Sequence, residues 1–190
     1  RPPPRVRAFV LAVARYINTV SFNYTLDDKL YITNNEYTKK GLSGIPDILS
    51  NDLLTGFYGI KKDLVAGGRY RPLSLVTYAI EWEIFGENPH VSHFVNIILY
   101  ALTGVFLFNI LTWLLKGFVI SVPGLITFQK DKPGNLKSFF SNLPSYLPAG
   151  RHGIFHLPFL ATALFIAHPL HTEVVANIKG RDDILCLLGS

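Results

Sequence analysis

Charge is scarce in this sequence. Only 16% of its 190 residues are Asp, Glu, Lys or Arg, against roughly 25% in ordinary soluble domains, so the composition does not serve a large solvated surface. Cysteine is nearly absent. Cys186 stands alone inside an apolar run, which excludes an intrachain disulfide. Methionine does not occur. The sequence also has no glycine-rich phosphate loop, no nucleophile elbow and no HExxH helix. Those gaps remove P-loop phosphoryl transfer, serine-hydrolase chemistry and the metalloprotease zinc site. No internal repeat or low-complexity tract is present. Net charge is +5, but the basic residues gather in particular connecting segments. They read as membrane topology rather than as a nucleic-acid surface, and no nucleic-acid partner is expected.

What is present is apolar, in blocks. Mean hydropathy is +0.29, and the expected class is all-α: a polytopic membrane helix bundle with a large external first loop. Three spans are expected, over residues 8–26, 93–115 and 154–171, each long enough to cross about 30 Å at 1.5 Å per residue. Arg15 sits near the middle of the first, where a cation costs about 2.5–3.5 kcal/mol unless it snorkels or pairs. Arg1, Arg5 and Arg7 place the N-terminus inside, residues 27–92 outside, the basic segment 116–152 inside and 172–183 outside again. Within the first loop, Ser43 to Leu54 reads as a short helix and Ala66-Gly67-Gly68 as a joint. Pro72 to Phe85 reads as an amphipathic interfacial helix, with Leu73, Val76, Ile80 and Ile84 on one face and Glu83 spoiling it. Phe118 to Phe128, broken by Pro123-Gly124, reads as re-entrant or interfacial. The chain is expected to be a piece of a longer protein.

The first span ends in adjacent carboxylates, Asp27 and Asp28. Charged residues mark helix ends often enough for that to be their whole meaning. The folding-back of the chain, however, puts Arg69, Arg71, His93, His168, His171, Glu173, Arg181 and Asp183 on the same side. Carboxylates beside arginines at a membrane surface suit a base that deprotonates a hydroxyl while cations steady a leaving phosphate. Arginine holds phosphate oxygens bidentately and stays charged. Each group has a plainer reading: Arg69 and Arg71 as lipid-headgroup contacts, His93 and Asn96 as an interhelical link, and His168 as a partner for backbone groups freed at Pro169.

Six segments, in order, carry a family resemblance: Leu26-Asp27-Asp28, Asn34-Asn35, Gly68-Arg69-Tyr70-Arg71-Pro72-Leu73, His93-Phe94-Val95-Asn96, Ala167-His168-Pro169-Leu170-His171-Thr172-Glu173 and Gly180-Arg181-Asp182-Asp183-Ile184-Leu185. Together they resemble the membrane module of the transmembrane and tetratricopeptide-repeat O-mannosyltransferase-like glycosyltransferases of the C-type fold. The resemblance implies a mannose-like sugar on a polyisoprenoid-phosphate donor and a protein or glycan hydroxyl as acceptor, with inversion at the sugar carbon. It implies further spans and a C-terminal repeat domain, within a bacterial cytoplasmic membrane or the endoplasmic reticulum. By residue, it makes Asp27 the base and Asp28 its partner or the ligand of a divalent Mg or Mn ion, whose need stays open. Arg69, Arg71 and His93 become donor-phosphate contacts, and His168, His171, Glu173, Arg181 and Asp183 a second external wall. Two other classes compete: a transporter or flippase using the external carboxylates as an ion site, and a non-catalytic anchor for a repeat domain.

Overall fold

The computed structural model of the chain describes residues 2–59, 70–121 and 153–190. Arg69, the joint at 66–68, the re-entrant segment after Ser121 and most of the expected cytoplasmic stretch lie outside the described residues. Most of the described residues are helical, and no strand occurs among them.

Helix α1 spans Pro4–Tyr16, opened by a proline in its first turn where no amide partner is lost. Its buried residues Ala8, Ala12 and Tyr16 recur every fourth position, two small side chains that let a neighbouring helix approach closely and one large ring that packs into the core. The helix does not continue to residue 26. Over Ile17–Ser21 the chain tightens into a 3₁₀ turn, because Thr19 and Ser21 return their hydroxyls to the carbonyls of Tyr16 and Asn18, both at 2.8 Å. Arg15 therefore sits exposed in the last turn of α1 rather than at mid-span, where a cation suits the helix C-terminus.

A head of short elements follows. It comprises α2 (Leu26–Asp28), a π-helical turn (Lys29–Thr33), α3 (Glu36–Lys39), a 3₁₀ turn (Gly41–Gly44), α4 (Ile45–Ser50) and α5 (Thr55–Tyr58). They pack around α6 (Pro72–Phe85), with Tyr31, Ile32, Ile48, Leu53, Leu75, Tyr78, Ala79 and Ile178 as the shared core. The packed face of α6 is Ser74, Leu75, Tyr78 and Ala79. The expected apolar face, through Leu73, Ile80 and Ile84, is exposed instead. Glu83 does not spoil a buried stripe: it is exposed, and its carboxylate accepts the Leu42 amide at 3.2 Å.

Helix α7 (Pro89–Ser121) contains the one stretch long and apolar enough to cross a membrane among the described residues, Pro89–Leu115, with mean hydropathy 2.1. Helix α8 (Gly153–Ala167) and α9 (Leu170–Ala176) pass the same test only together, bent by 66° at His168-Pro169. The expected three spans thus reduce to one straight helix and one bent pair; α1 is too short. Proline explains the bend, since it has no amide to give the preceding turn. The carbonyl of Ile166 also loses its helical partner, because the Leu170 amide donates to the His168 ring instead, and two hydroxyls take it, Tyr16 Oη at 3.2 Å and Tyr100 Oη at 3.4 Å. A 3₁₀ turn (Ile178–Gly180) leads into α10 (Arg181–Gly189). A second core, built from α1, α7, α8, α9 and α10, centres on Ala12, Tyr16, Ile97, Tyr100, Ile166, Val175 and Ile184.

Candidate functional site

The adjacent carboxylates face opposite ways. Thr25 caps α2, and the Asp28 carboxylate closes the cap: Oδ2 accepts the Thr25 amide and its hydroxyl, both at 2.9 Å. Its other oxygen accepts the amide of Lys179 at 2.8 Å. Asp28 is fully buried, and both its oxygens are engaged. Asp27 turns outward, with its side chain 46% exposed, and holds Lys179 Nζ at 3.0 Å. Neighbouring acids in sequence thus grip one lysine, the first by its ammonium and the second by its backbone.

Asp27 opens onto a cleft of about 480 Å³, lined also by Phe22, Thr25, Glu173, Ala176 and Asn177. A second cleft of about 240 Å³ shares Glu173 and Asn177 with the first and adds Arg71, Lys179, Asp182 and Asp183. Arg71 is ion-paired to Asp182 and lies 3.9 Å from Asp183 Oδ1. The hydrogen bond and charge of Asp182 raise its already high proton affinity further, so this guanidinium is a permanent cation. At Lys179, partial burial pulls the ammonium down. The Asp27 hydrogen bond and the Tyr31 and Asp27 charges outweigh that, and the net shift is upward. Two cations, Arg71 and Lys179, therefore stand among four carboxylates, Asp27, Glu173, Asp182 and Asp183.

The remaining expected site residues go elsewhere. Arg181 has no exposed surface. It donates to Asn96 Oδ1 at 2.7 Å, to Thr77 Oγ1 at 3.0 Å, to the Ser92 carbonyl at 3.0 Å and to Glu81, and it lies over the Tyr78 ring at 4.4 Å. Its work is to join α10 to α6 and α7. The same burial pushes the Tyr78 phenol far up, so it stays protonated. His93 is buried against Phe22, and its ring nitrogens have no hydrogen-bond partner among the described residues, although the Asn23 backbone is close by. His168 accepts the Leu170 amide at 3.3 Å, and His171 packs on Phe165 and Tyr100. Neither histidine lines the two clefts. Among the described residues no three His, Cys, Asp or Glu side chains are grouped to hold an ion. With both oxygens engaged, Asp28 does not fit the role of metal ligand.

Lys179 and Asn177 are two polar cleft residues that sequence reasoning missed. Their one signal was position: both lie in the four residues Asn177-Ile178-Lys179-Gly180 that separate α9 from the Arg181-Asp182-Asp183 run.

No family model matches the chain, and no solved structure matches it. Curated proteins do. Protein O-mannosyl-transferase TMTC4 of Mus musculus is 27% identical over 168 residues, covering 87% of this chain and 19% of the relative. Protein O-mannosyl-transferase TMTC1 of Homo sapiens is 29% identical over 175 residues, covering 91% and 15%. Protein O-mannosyl-transferase TMTC2 of Mus musculus is 29% identical over 178 residues, covering 92% and 16%. The chain spans less than a fifth of the length of these relatives. The family resemblance carried by its motifs is the one the comparisons find: this chain is similar to the protein O-mannosyl-transferases, nearly from end to end.

Proposed function

We propose that the chain is part of a polytopic membrane glycosyltransferase that moves a sugar from a polyisoprenoid-phosphate carrier to a hydroxyl on the external side of the membrane. The names of its relatives supply mannose as the sugar and protein as the acceptor; a glycan hydroxyl is the other acceptor of the same chemistry. Asp27 takes the proton of the acceptor hydroxyl as that oxygen bonds to the anomeric carbon. The bond from that carbon to the phosphate oxygen breaks, its electron pair leaving with the polyisoprenoid phosphate. Arg71 meets the charge that develops there. Attack from the face opposite the leaving phosphate inverts the sugar carbon.

The observation that carries this reading is the outward turn of Asp27 onto a cleft that shares Glu173 and Asn177 with the cleft of Arg71. A bilayer setting is supported by the apolar surface that α7 and α8 leave exposed at Leu102, Phe106, Trp113, Leu160 and Leu164. An endoplasmic reticulum membrane fits animal relatives, and a bacterial cytoplasmic membrane would serve the same chemistry. A transporter would claim the broken pair α8–α9 for an ion. The carbonyl freed there is already held by two tyrosine hydroxyls, which supports the enzyme instead.

The test is transfer of labelled mannose from a polyisoprenoid-phosphate donor by the purified full-length protein. Asp27→Asn keeps the shape and removes the base, and transfer should fall about 10²–10⁴-fold with the fold intact. Transfer near the wild-type rate would take Asp27 out of the mechanism.

A further inference from the structure

Lys179 stands beside Arg71 in the second cleft. Its main chain is pinned, because the Lys179 amide donates to Asp28 Oδ1 at 2.8 Å and to Asn177 Oδ1 at 3.2 Å. Its side chain is not: it is 28% exposed and runs past the Tyr31 ring at 5.6 Å to reach Asp27. The ammonium occupies an oxygen of the carboxylate assigned as base, so that oxygen is not open to an acceptor hydroxyl while the pair is made. The second cleft, which Lys179 also lines, is the place of Arg71. An anion entering there meets an excess of carboxylate, unless a cation is given up to it.

Resting on the glycosyltransferase reading, we propose that Lys179 is a second ligand of the donor phosphate, exchanged from Asp27 when the donor binds. The backbone anchor supplied by Asp28 keeps Lys179 in reach of both partners, so the exchange needs only side-chain rotation. Donor binding then does two things at once. It places a second charge beside Arg71 on the phosphate, and it releases Asp27 to accept the acceptor proton. Asp27 is thereby shielded until a donor is present. The two adjacent acids have separate duties toward one lysine, Asp28 holding it in place and Asp27 holding it in reserve.

Affinity for polyisoprenyl phosphate without sugar, measured on the full-length protein in lipid nanodiscs with uncharged polyisoprenol as control, tests the exchange. Lys179→Gln should weaken phosphate binding about tenfold or more. Asp27→Asn should tighten it, because the carboxylate no longer competes for the ammonium, even as transfer is lost. In the double variant that tightening should vanish. A lysine with only a structural role would not make the effect of Asp27→Asn depend on its presence. If Lys179→Gln fails to fold, the sign of the Asp27→Asn effect still decides: unchanged or weaker phosphate binding overturns the exchange. Wild-type protein that binds the phosphate no better than the alcohol sinks the donor reading itself. Preferential phosphate binding that neither variant alters overturns only the role of Lys179.

Discussion

At the scale of single residues, the acidic pair shows how sequence neighbours can part company. Two consecutive side chains in the first turn of a helix diverge by about 100°, so one can serve the cap while the other meets solvent. Asp28 accepts two donors on one oxygen and the Lys179 amide on the other. Asparagine supplies a single acceptor oxygen, so in Asp28→Asn the amide nitrogen must face a donor. The variant should lose about 1–3 kcal/mol of stability, seen as a lower midpoint of thermal unfolding. Added Mg or Mn should not restore activity; restoration would reinstate Asp28 as a metal ligand. Sequence reading found the pair and chose Asp27 as the base. It could not divide the roles, because the partner that divides them lies about 150 positions away in the chain. Arg181 is the mirror case. A charged residue in a polar motif reads as a site residue, and only the convergence of α6, α7 and α10 on its guanidinium shows it to be a clamp.

At the scale of elements, apolar length was legible and interruptions were less so. The run 93–115 is enclosed by α7, and Pro72 to Phe85 matches α6 end to end. Pro169 announced the break between α8 and α9. The early end of α1 was not announced, since the stretch from residue 8 to 26 has the length of a span and the hydroxyl-to-backbone bonds of Thr19 and Ser21 carry no periodic signal. Nor could the sequence show that the break after Ala167 is closed by tyrosines from two other helices. Tyr16→Phe and Tyr100→Phe should each be mild, because the second hydroxyl still reaches the Ile166 carbonyl. The double variant leaves that buried carbonyl unpaired and should cost about 1–3 kcal/mol, more than the two single losses added together. Heating the three variants while following helical signal measures this. Strictly additive small losses would mean that the carbonyl finds another partner.

At the scale of the whole molecule, the clefts hold their function only if the head elements and the turn at Ile178–Gly180 share one side of a membrane. Among the contacts that join them are the Asp28 carboxylate on the Lys179 amide, the Asp27–Lys179 pair, the Tyr78 hydroxyl on the Ile178 carbonyl at 2.7 Å and the Arg181 clamp. With α7 crossing once, the start of α1 belongs at the far end, because α1 packs along α7 and runs toward the head. Arg5 and Arg7 in the first turns of α1 fit the inner surface by the bias of basic residues toward the cytoplasmic side. Topology follows as a prediction for the full-length protein with Cys186→Ser as background, since Cys186 is exposed and would itself react. In sealed vesicles whose lumen is inside, cysteine placed at Arg5 should react with an impermeant thiol reagent. Cysteine at Ser43, exposed in the head, should react only after the membrane is opened. The reverse pattern would turn the clefts toward the cytoplasm. Reaction of both sites in sealed vesicles would mean that α7 does not carry the chain across at all, and the head, the clefts and a lipid-borne donor would have to be placed again from the beginning.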